Sequence, residues 1–170
     1  LLRQTLPAEE IIVVDDGSTD RTATVAESFG KPVRVIHQKN SGPAAARNRG
    51  FLESRGEFIH FFDSDDLALP NKHEVQVKIL RESGADIAYG PWIKGCMSDS
   101  SFVPENQILQ QRGLPKDNLI KALLTNWSIV PHACLFRRAI VEKIGGFPKE
   151  LFVAEDQLMF LRCLLAGAWV

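Results

Sequence analysis

The chain has 170 residues, 45% of them apolar and 24% charged, which suits one domain with its own core and excludes a disordered or fibrous chain. Lys plus Arg is 20 and Asp plus Glu is 21, a net charge of -1 that argues against a general nucleic-acid binder. Cys96, Cys134 and Cys163 stand apart with no CxxC pair, so neither a disulfide framework nor a structural zinc site is expected, and a reducing compartment is the default.

Leu1 to Pro7 reads as the last turn of a helix stopped by proline, and Ala168-Trp169-Val170 as a strand just starting. One domain over residues 1–170, truncated at both ends, is therefore expected. Between the ends, strands and helices alternate. Glu10 to Asp16 is a β-branched run ending at a Gly-Ser turn, hence a buried strand. Thr19 or Asp20 caps a helix that ends at Gly30, and Val33 to His37 forms the next strand. After the polar loop Gln38 to Gly42, Pro43 sits where a helix favours its first residue, and Ala44 to Ser54 carries that helix. Glu57 to Phe62 is a third strand, followed by the acidic run Asp63-Ser64-Asp65-Asp66. Pro70 opens a helix with Val75, Ile79 and Leu80 as its inner stripe, and Asp86 to Tyr89 is a fourth strand. Residues 91 to 114 form an excursion carrying Trp92. Pro115 to Thr125 and Ala154 to Ala166 are further helices, with Trp127 to Phe136 extended between them.

This order predicts an α/β fold, a mainly parallel sheet with helices on both faces, and ligands sit beyond the carboxyl ends of such strands. Asp15 and Asp16 end the first strand, and Asp63, Asp65 and Asp66 follow the third, so neighbouring parallel strands bring both clusters to one edge. Carboxylates crowded together repel, and a cation relieves them. Hard oxygen ligands favour Mg²⁺ or Mn²⁺ over zinc. On an extended segment Asp63 and Asp65 point the same way, which makes them the candidate metal pair. The competing explanation is a solvated acidic turn that caps the next helix.

Four motifs occur in order: VVDDGSTD (13 to 20), NSGPAAARNRG (40 to 50), FFDSDD (61 to 66) and GGF...AED (145 to 156). Together they resemble glycosyltransferase family 2, inverting nucleotide-sugar transferases with a Rossmann-like GT-A fold, over essentially the whole chain. The family's opening strand, an apolar run ending in Pro-x-Tyr-Asn, is absent. No Gln-x-x-Arg-Trp motif of processive polysaccharide synthases occurs.

The resemblance implies a role for each matching residue. Asp15 or Asp16 faces uracil or its equivalent, since a carboxylate accepts from the imide N–H that cytosine lacks. Either acid can instead cap the turn at Ser18 to Arg21, one use per Asp. Arg47 stands where the family places a base- or phosphate-contacting arginine; Asn40, Gly42, Asn48 and Gly50 shape that loop and helix start, which favours an anion. Asp63 is implied to contact the ribose and Asp65 to ligate the ion bridging the diphosphate, with Asp66 a second ligand or a helix cap. Glu155 and Asp156 open a helix whose inner face is Leu158, Phe160, Leu161 and Leu164. Taken alone they are two acids well placed at a helix N-terminus. The resemblance makes Asp156 the base that takes the acceptor proton, with Glu155 beside it. His132 lines an acceptor pocket or is a core histidine. Trp92 and Trp127 stack on a sugar or belong to the core. Arg137-Arg138 reads as a surface pair at a helix start. His37, His60 and His73 lack metal spacing, and no HExxH or GxSxG occurs.

The implied activity is transfer of a sugar from a nucleotide sugar, UDP-linked by the base reading, to an acceptor hydroxyl with inversion and a divalent Mn or Mg ion. The implied partners are the nucleotide-sugar donor and a carbohydrate or lipid-linked acceptor, with no nucleic acid. No apolar run approaches the roughly 20 residues that span a bilayer, and no signal-peptide pattern opens the chain. A cytoplasmic protein, peripheral at the inner membrane face, is the expectation. Two rivals are a non-catalytic sugar-nucleotide-binding module and a Mg-dependent phospho-acceptor receiver domain. A nucleotidyltransferase is weaker, because no Gly-rich phosphate loop is visible.

Overall fold

The computed structural model describes residues 1–98, 101–105, 114–115, 118–125, 127–151 and 153–170. Strand β1 (Ile11–Asp15) and strand β2 (Val33–His37) pair in parallel, Ile11 opposite Val33 and Asp15 opposite His37. Helix α1 (Thr22–Glu27) connects them and is shorter than expected; Asp20 Oδ1 accepts the N–H of Thr22 at its start. Helix α2 (Pro43–Glu53) begins with proline as anticipated, a residue whose fixed φ suits the first helical turn. It runs beside β1, burying Ala44, Asn48 and Phe51.

Only Phe58–Ile59 of the expected third strand pairs, as β3, and helix α3 spans Lys72–Ser83 before strand β4 (Ile87–Tyr89). Gly84 ends α3 in the left-handed conformation that glycine adopts without strain. The inner stripe of α3 differs from the expected one. His73, Gln76 and Leu80 are buried, whereas Val75 and Ile79 are exposed. Hydrogen bonding explains the exchange: Gln76 Nε2 donates to the carbonyls of Ala88 and Ala133, and the N–H of His73 donates to Gln4 Oε1. The apolar pattern misses a helix face fixed by amide partners.

The excursion after β4 contains a hairpin, β5 (Gly95–Ser98) with β6 (Ser101–Pro104), that polar spacing hid. Helix α4 covers Leu119–Thr125; residues 116 and 117 of the expected helix lie outside the described residues. A 3₁₀ turn at Pro131–Ala133 leads into strand β7 (Cys134–Arg137). β7 lies between β3 and β4 and is antiparallel to both, so β3 and β4 run parallel to each other with one reversed strand between them. Helix α5 (Arg138–Ile144) follows, then α6 (Glu155–Leu165). The buried face of α6 is Met159, Phe160 and Cys163, rotated from the expected leucines. Beyond α6, the carbonyl of Trp169 accepts from the N–H groups of Asp86 and Ile87, so this end does run alongside β4.

The main core gathers Phe61, Phe136, Phe147, Met159 and Phe160 with Cys134 and Cys163, which are fully enclosed. Each such aromatic contributes about 1.5–3 kcal/mol by leaving water. The Phe61 ring meets Phe147 edge-on at 4.8 Å and Phe136 at 5.7 Å, which ties the segment after β3 to β7 and to the loop before α6. Arg137 and Arg138 are not a surface pair. Arg137 donates to the carbonyls of Leu80 and Ala85, and Arg138 to the carbonyl of Gly56 and the Ser54 hydroxyl. A cleft of about 810 Å³ separates β1 from β3, with Ile11 to Val14 and Phe58 to Phe62 among its walls. Among the described strands, β1 bonds only to β2 and β3 only to β7. The two acid-bearing strands are therefore not direct neighbours, and the cleft lies between them.

Candidate active site

The acids that end β1 are already occupied by the backbone around them. Asp15 is 8% exposed; its Oδ1 accepts the N–H of Ser18 at 3.0 Å and its Oδ2 lies 3.0 Å from His37 Nδ1. The Ser18 bond and then the His37 bond hold its pKa below the ordinary value. Asp16 receives Gln38 Nε2 at 2.7 Å and the Ser41 N–H at 2.8 Å on Oδ1, and the Gly42 N–H at 2.8 Å on Oδ2. Burial pushes its pKa up, but these three donors outweigh it and the net direction is down. Asn40 is exposed on the loop that Asp16 holds, and Gly42, at φ 87°, is the N-cap of α2. Asp15, Asp16, Asn40 and Gly42 thus assemble as one corner beside the start of α2.

The acids after β3 form a different environment. Asp63, Asp66 and His132 each offer one ligand atom, all within 4.8 Å of one another. His132 Nδ1 lies 2.9 Å from Asp66 Oδ2 and 3.7 Å from Asp63 Oδ2. Asp66 Oδ2 and His132 Nδ1 are both buried and face each other at ion-pair distance without the alignment of a hydrogen bond. Two carboxylate oxygens and an imidazole nitrogen are a donor set a divalent ion would satisfy, so the residues fit the expected metal. Burial raises the Asp66 pKa against the pull of His132. Asp63 goes the other way, to about 2, held there by His132 and Arg47 against its own burial. Asp65, the expected partner of Asp63, is exposed and outside this group. His132 comes to the site on the 3₁₀ turn before β7, and Trp92 meets its ring edge-on at 6.2 Å. Its peer His60 is enclosed, with Nε2 2.9 Å from the His132 carbonyl and Nδ1 3.0 Å from His73 Nε2; burial drives its pKa to about 3.

Arg47 joins this cluster to the helix that begins at Glu155. Its Nη2 donates to Asp63 Oδ1 at 2.8 Å and its Nη1 to Glu155 Oε1 at 2.9 Å. Its guanidinium carbon stands 5.2 Å from the centre of the Phe147 ring. The neighbouring Asn48 grips the same loop twice: Nδ2 donates to the Phe147 carbonyl and the Phe147 N–H donates to Oδ1, both at 2.8 Å. Gly146 is required there, with φ 78° and a position where a Cβ would collide with Asn48 Oδ1. Asp156 follows Glu155 in the first turn of α6, and its Oδ1 accepts the Gln157 N–H at 2.7 Å. Burial, aided by the charge of Glu155, raises the Asp156 pKa. Ala154, the residue before α6, takes φ 61°, an uncommon conformation for a side chain with a Cβ.

The structure therefore brings Asp63, Arg47, Glu155 and Asp156 together around one arginine, places Asp15, Asp16, Asn40 and Gly42 at a second corner, and leaves Asp65 in solvent. Arg47, Asp63 and Asp66 line the cleft between β1 and β3. The sequence marks Asn48 and the Gly145-Gly146-Phe147 motif separately, but not the hydrogen bonds that join Asn48 to Phe147. Among the described residues, no helix is long and apolar enough to cross a membrane.

A family model described as glycosyl transferase family 2 matches residues 1–145. The chain is 40% identical over 106 residues to the glycosyltransferase GlyG of Streptococcus pneumoniae, which covers 60% of this chain and 35% of GlyG. It is 34% identical over 179 residues to YibD of Escherichia coli, an uncharacterized glycosyltransferase, covering 94% of this chain and 50% of YibD. The chain spans at most about half the length of these curated relatives. Among solved structures, S. aureus TarS 1-349 in complex with UDP-GlcNAc is similar with a TM-score of 0.74 at 28% identity, over 96% of this chain and 47% of that one. The α/β arrangement is a GT-A, Rossmann-like fold.

Proposed function

The chain belongs to glycosyltransferase family 2, and from that premise we propose that it transfers a sugar from a nucleotide sugar to an acceptor hydroxyl with inversion. The observation that carries the reading is the Arg47 bridge. It sets the Glu155-Asp156 helix start against the acid cluster after β3, although Glu155 lies 108 residues from Arg47 in sequence. Asp156 is the base in this reading. Its carboxylate is less acidic than an ordinary aspartate, which suits it to take a proton from the attacking hydroxyl. Attack from that side, opposite the departing nucleoside diphosphate, inverts the anomeric carbon.

Donor binding is assigned to the corner of Asp15, Asp16, Asn40 and Gly42 together with Asp63. Asp16 receives three of the roughly four donors a carboxylate can accept, and Asp15 two, so both keep acceptor capacity for a base N–H. A uracil imide fits such an acceptor, and the likeness to a structure holding UDP-GlcNAc supports a uridine donor. A divalent ion, Mn²⁺ before Mg²⁺ because one donor is imidazole, is assigned to Asp63, Asp66 and His132; Asp65 is the alternative carboxylate. When bound, such an ion stabilises the charge that develops on the leaving phosphate. The acceptor is proposed to be a carbohydrate or a lipid-linked hydroxyl, with the protein peripheral at the cytoplasmic membrane face.

Calorimetry of the intact protein with UDP, with and without MnCl₂, tests the donor assignment, and diphosphate release from UDP-GlcNAc tests turnover. Metal-dependent UDP binding with turnover is the expected outcome. Binding without any turnover across donors would assign the chain to a non-catalytic nucleotide-binding module, and no nucleotide binding at all would remove the reading.

A further inference from the structure

We infer that Arg47 is a positioning residue: its guanidinium spans Glu155 and Asp63, fixes the helix carrying Asp156 against the acid cluster, and makes no bond to the donor phosphates. This deepens the reading above and rests on Asp156 as the base. Two of its five N–H donors are committed to carboxylates on separate segments and the side chain is mostly enclosed, which favours a fixed role. Both terminal nitrogens already donate, at 2.9 Å to Glu155 and 2.8 Å to Asp63, and the side chain is only 18% exposed. A planar guanidinium with two carboxylates at its two ends works as a rigid spacer, because its donors sit in one fixed fork. Lysine has no equivalent, being a single point charge that reaches one partner at a time.

The stem of the spacer is fixed as well. The guanidinium lies against the Phe147 ring, and Asn48, the next residue of α2, holds Phe147 by two backbone bonds. Moving Arg47 off Glu155 means breaking an enclosed ion pair and leaving Glu155, 13% exposed, unpaired beside Asp156. The charge balance agrees: one arginine faces two acids, Glu155 and Asp63.

The test uses Arg47→Lys, Arg47→Gln, Glu155→Gln and the double variant Arg47→Gln/Glu155→Gln in the intact protein. UDP affinity is read by calorimetry in MnCl₂, and kcat and KM by diphosphate release from UDP-GlcNAc. For a positioning residue, UDP affinity and donor KM stay within about twofold while kcat falls by roughly 10²-fold, the cost of slight misplacement of a reacting group. Arg47→Lys then fails like Arg47→Gln, and the double variant is no worse than either single change. A UDP affinity that drops tenfold or more in Arg47→Gln and recovers in Arg47→Lys would overturn the inference, since it marks a phosphate contact. Additive kcat losses in the double variant would overturn it too. If the Arg47 variants do not fold, Glu155→Gln decides: lowered kcat at unchanged UDP affinity supports the spacer, and unchanged kcat refutes it. Failure of the base assignment shows separately, as near-normal turnover in Asp156→Asn.

Discussion

The acids after β1 and the acids after β3 carry the same kind of charge at comparable places, the ends of strands that flank one cleft. Asp63 is held acidic as Asp15 and Asp16 are, but Asp66 is treated in the opposite way. Asp15 and Asp16 together accept bonds from Ser18, Gln38, Ser41 and Gly42, with His37 beside Asp15, and both carboxyls are held acidic. Asp66 and Asp156 are pushed the other way by burial, and Asp66 stands 2.9 Å from His132 Nδ1. Donors on Asp16 tie it into the loop before α2, whereas Asp66 and Asp156 are enclosed with fewer donors.

The sharpest break of that contrast is at Asp156. Asp156→Asn keeps the shape but accepts no proton, so transfer is expected to fall roughly 10²- to 10⁴-fold while UDP binding persists. Single-turnover assays beside UDP calorimetry check this, and loss of UDP binding in the variant would make the role of Asp156 structural. Next in size, His132→Ala and Asp66→Asn should weaken Mn²⁺ binding by about 10- to 100-fold, measured by manganese electron paramagnetic resonance without any substrate. Asp65→Asn should change it less. A larger effect at Asp65 would return the ion to the pair read from sequence.

On the β1 side the effects are on stability. Asp16→Ala leaves the Ser41 and Gly42 N–H groups without their acceptor and should cost about 1–2 kcal/mol in urea unfolding, less than full burial would cost because Ser41 meets solvent. An unchanged midpoint would show that Asp16 does not hold the loop. Smallest is the His37–Asp15 pair on the exposed flank of β2. The Asp15 bond first, and then the Glu27 bond, raises the His37 pKa above 6.5. Its contribution is complete below 6.5 and fades as pH rises through the raised value. The Asp15 contribution is present above 3.8 and fades as pH falls through its lowered value. Melting curves of the parent and of His37→Gln should therefore differ most between pH 3.8 and 6.5 and converge in mild alkali.

Much of this arrangement was legible in the chain because local chemistry fixed it. The β-branched run at β1, the proline at the start of α2 and the acids opening α6 each announce themselves within a few residues. The illegible parts depend on partners far away in sequence. The inner face of α3 is set by Gln76 reaching the Ala88 and Ala133 carbonyls, which no hydrophobic period encodes. Seeing Asp66, not Asp65, beside His132 needed the position of a turn 66 residues later than Asp66 in the numbering. Arg47 matched its motif, yet its partners Asp63 and Glu155 emerge only when three separate segments fold together.

Cys134 on β7 and Cys163 on α6 have no surface in contact with solvent, and burial pushes the first thiol well up and the second to about 12. Cys96 on β5 is exposed. The thiolate is the reactive form, so a maleimide or disulfide reagent meets one fast site and two that wait for the core to open. The chain thus carries its own clock for opening. The first label reports the hairpin at once, and the later two count how often the layer beneath the Phe136 and Phe160 rings comes apart. Mass-resolved labelling over hours would turn that count into a rate of core exposure without a fluorophore, a mutation or a ligand.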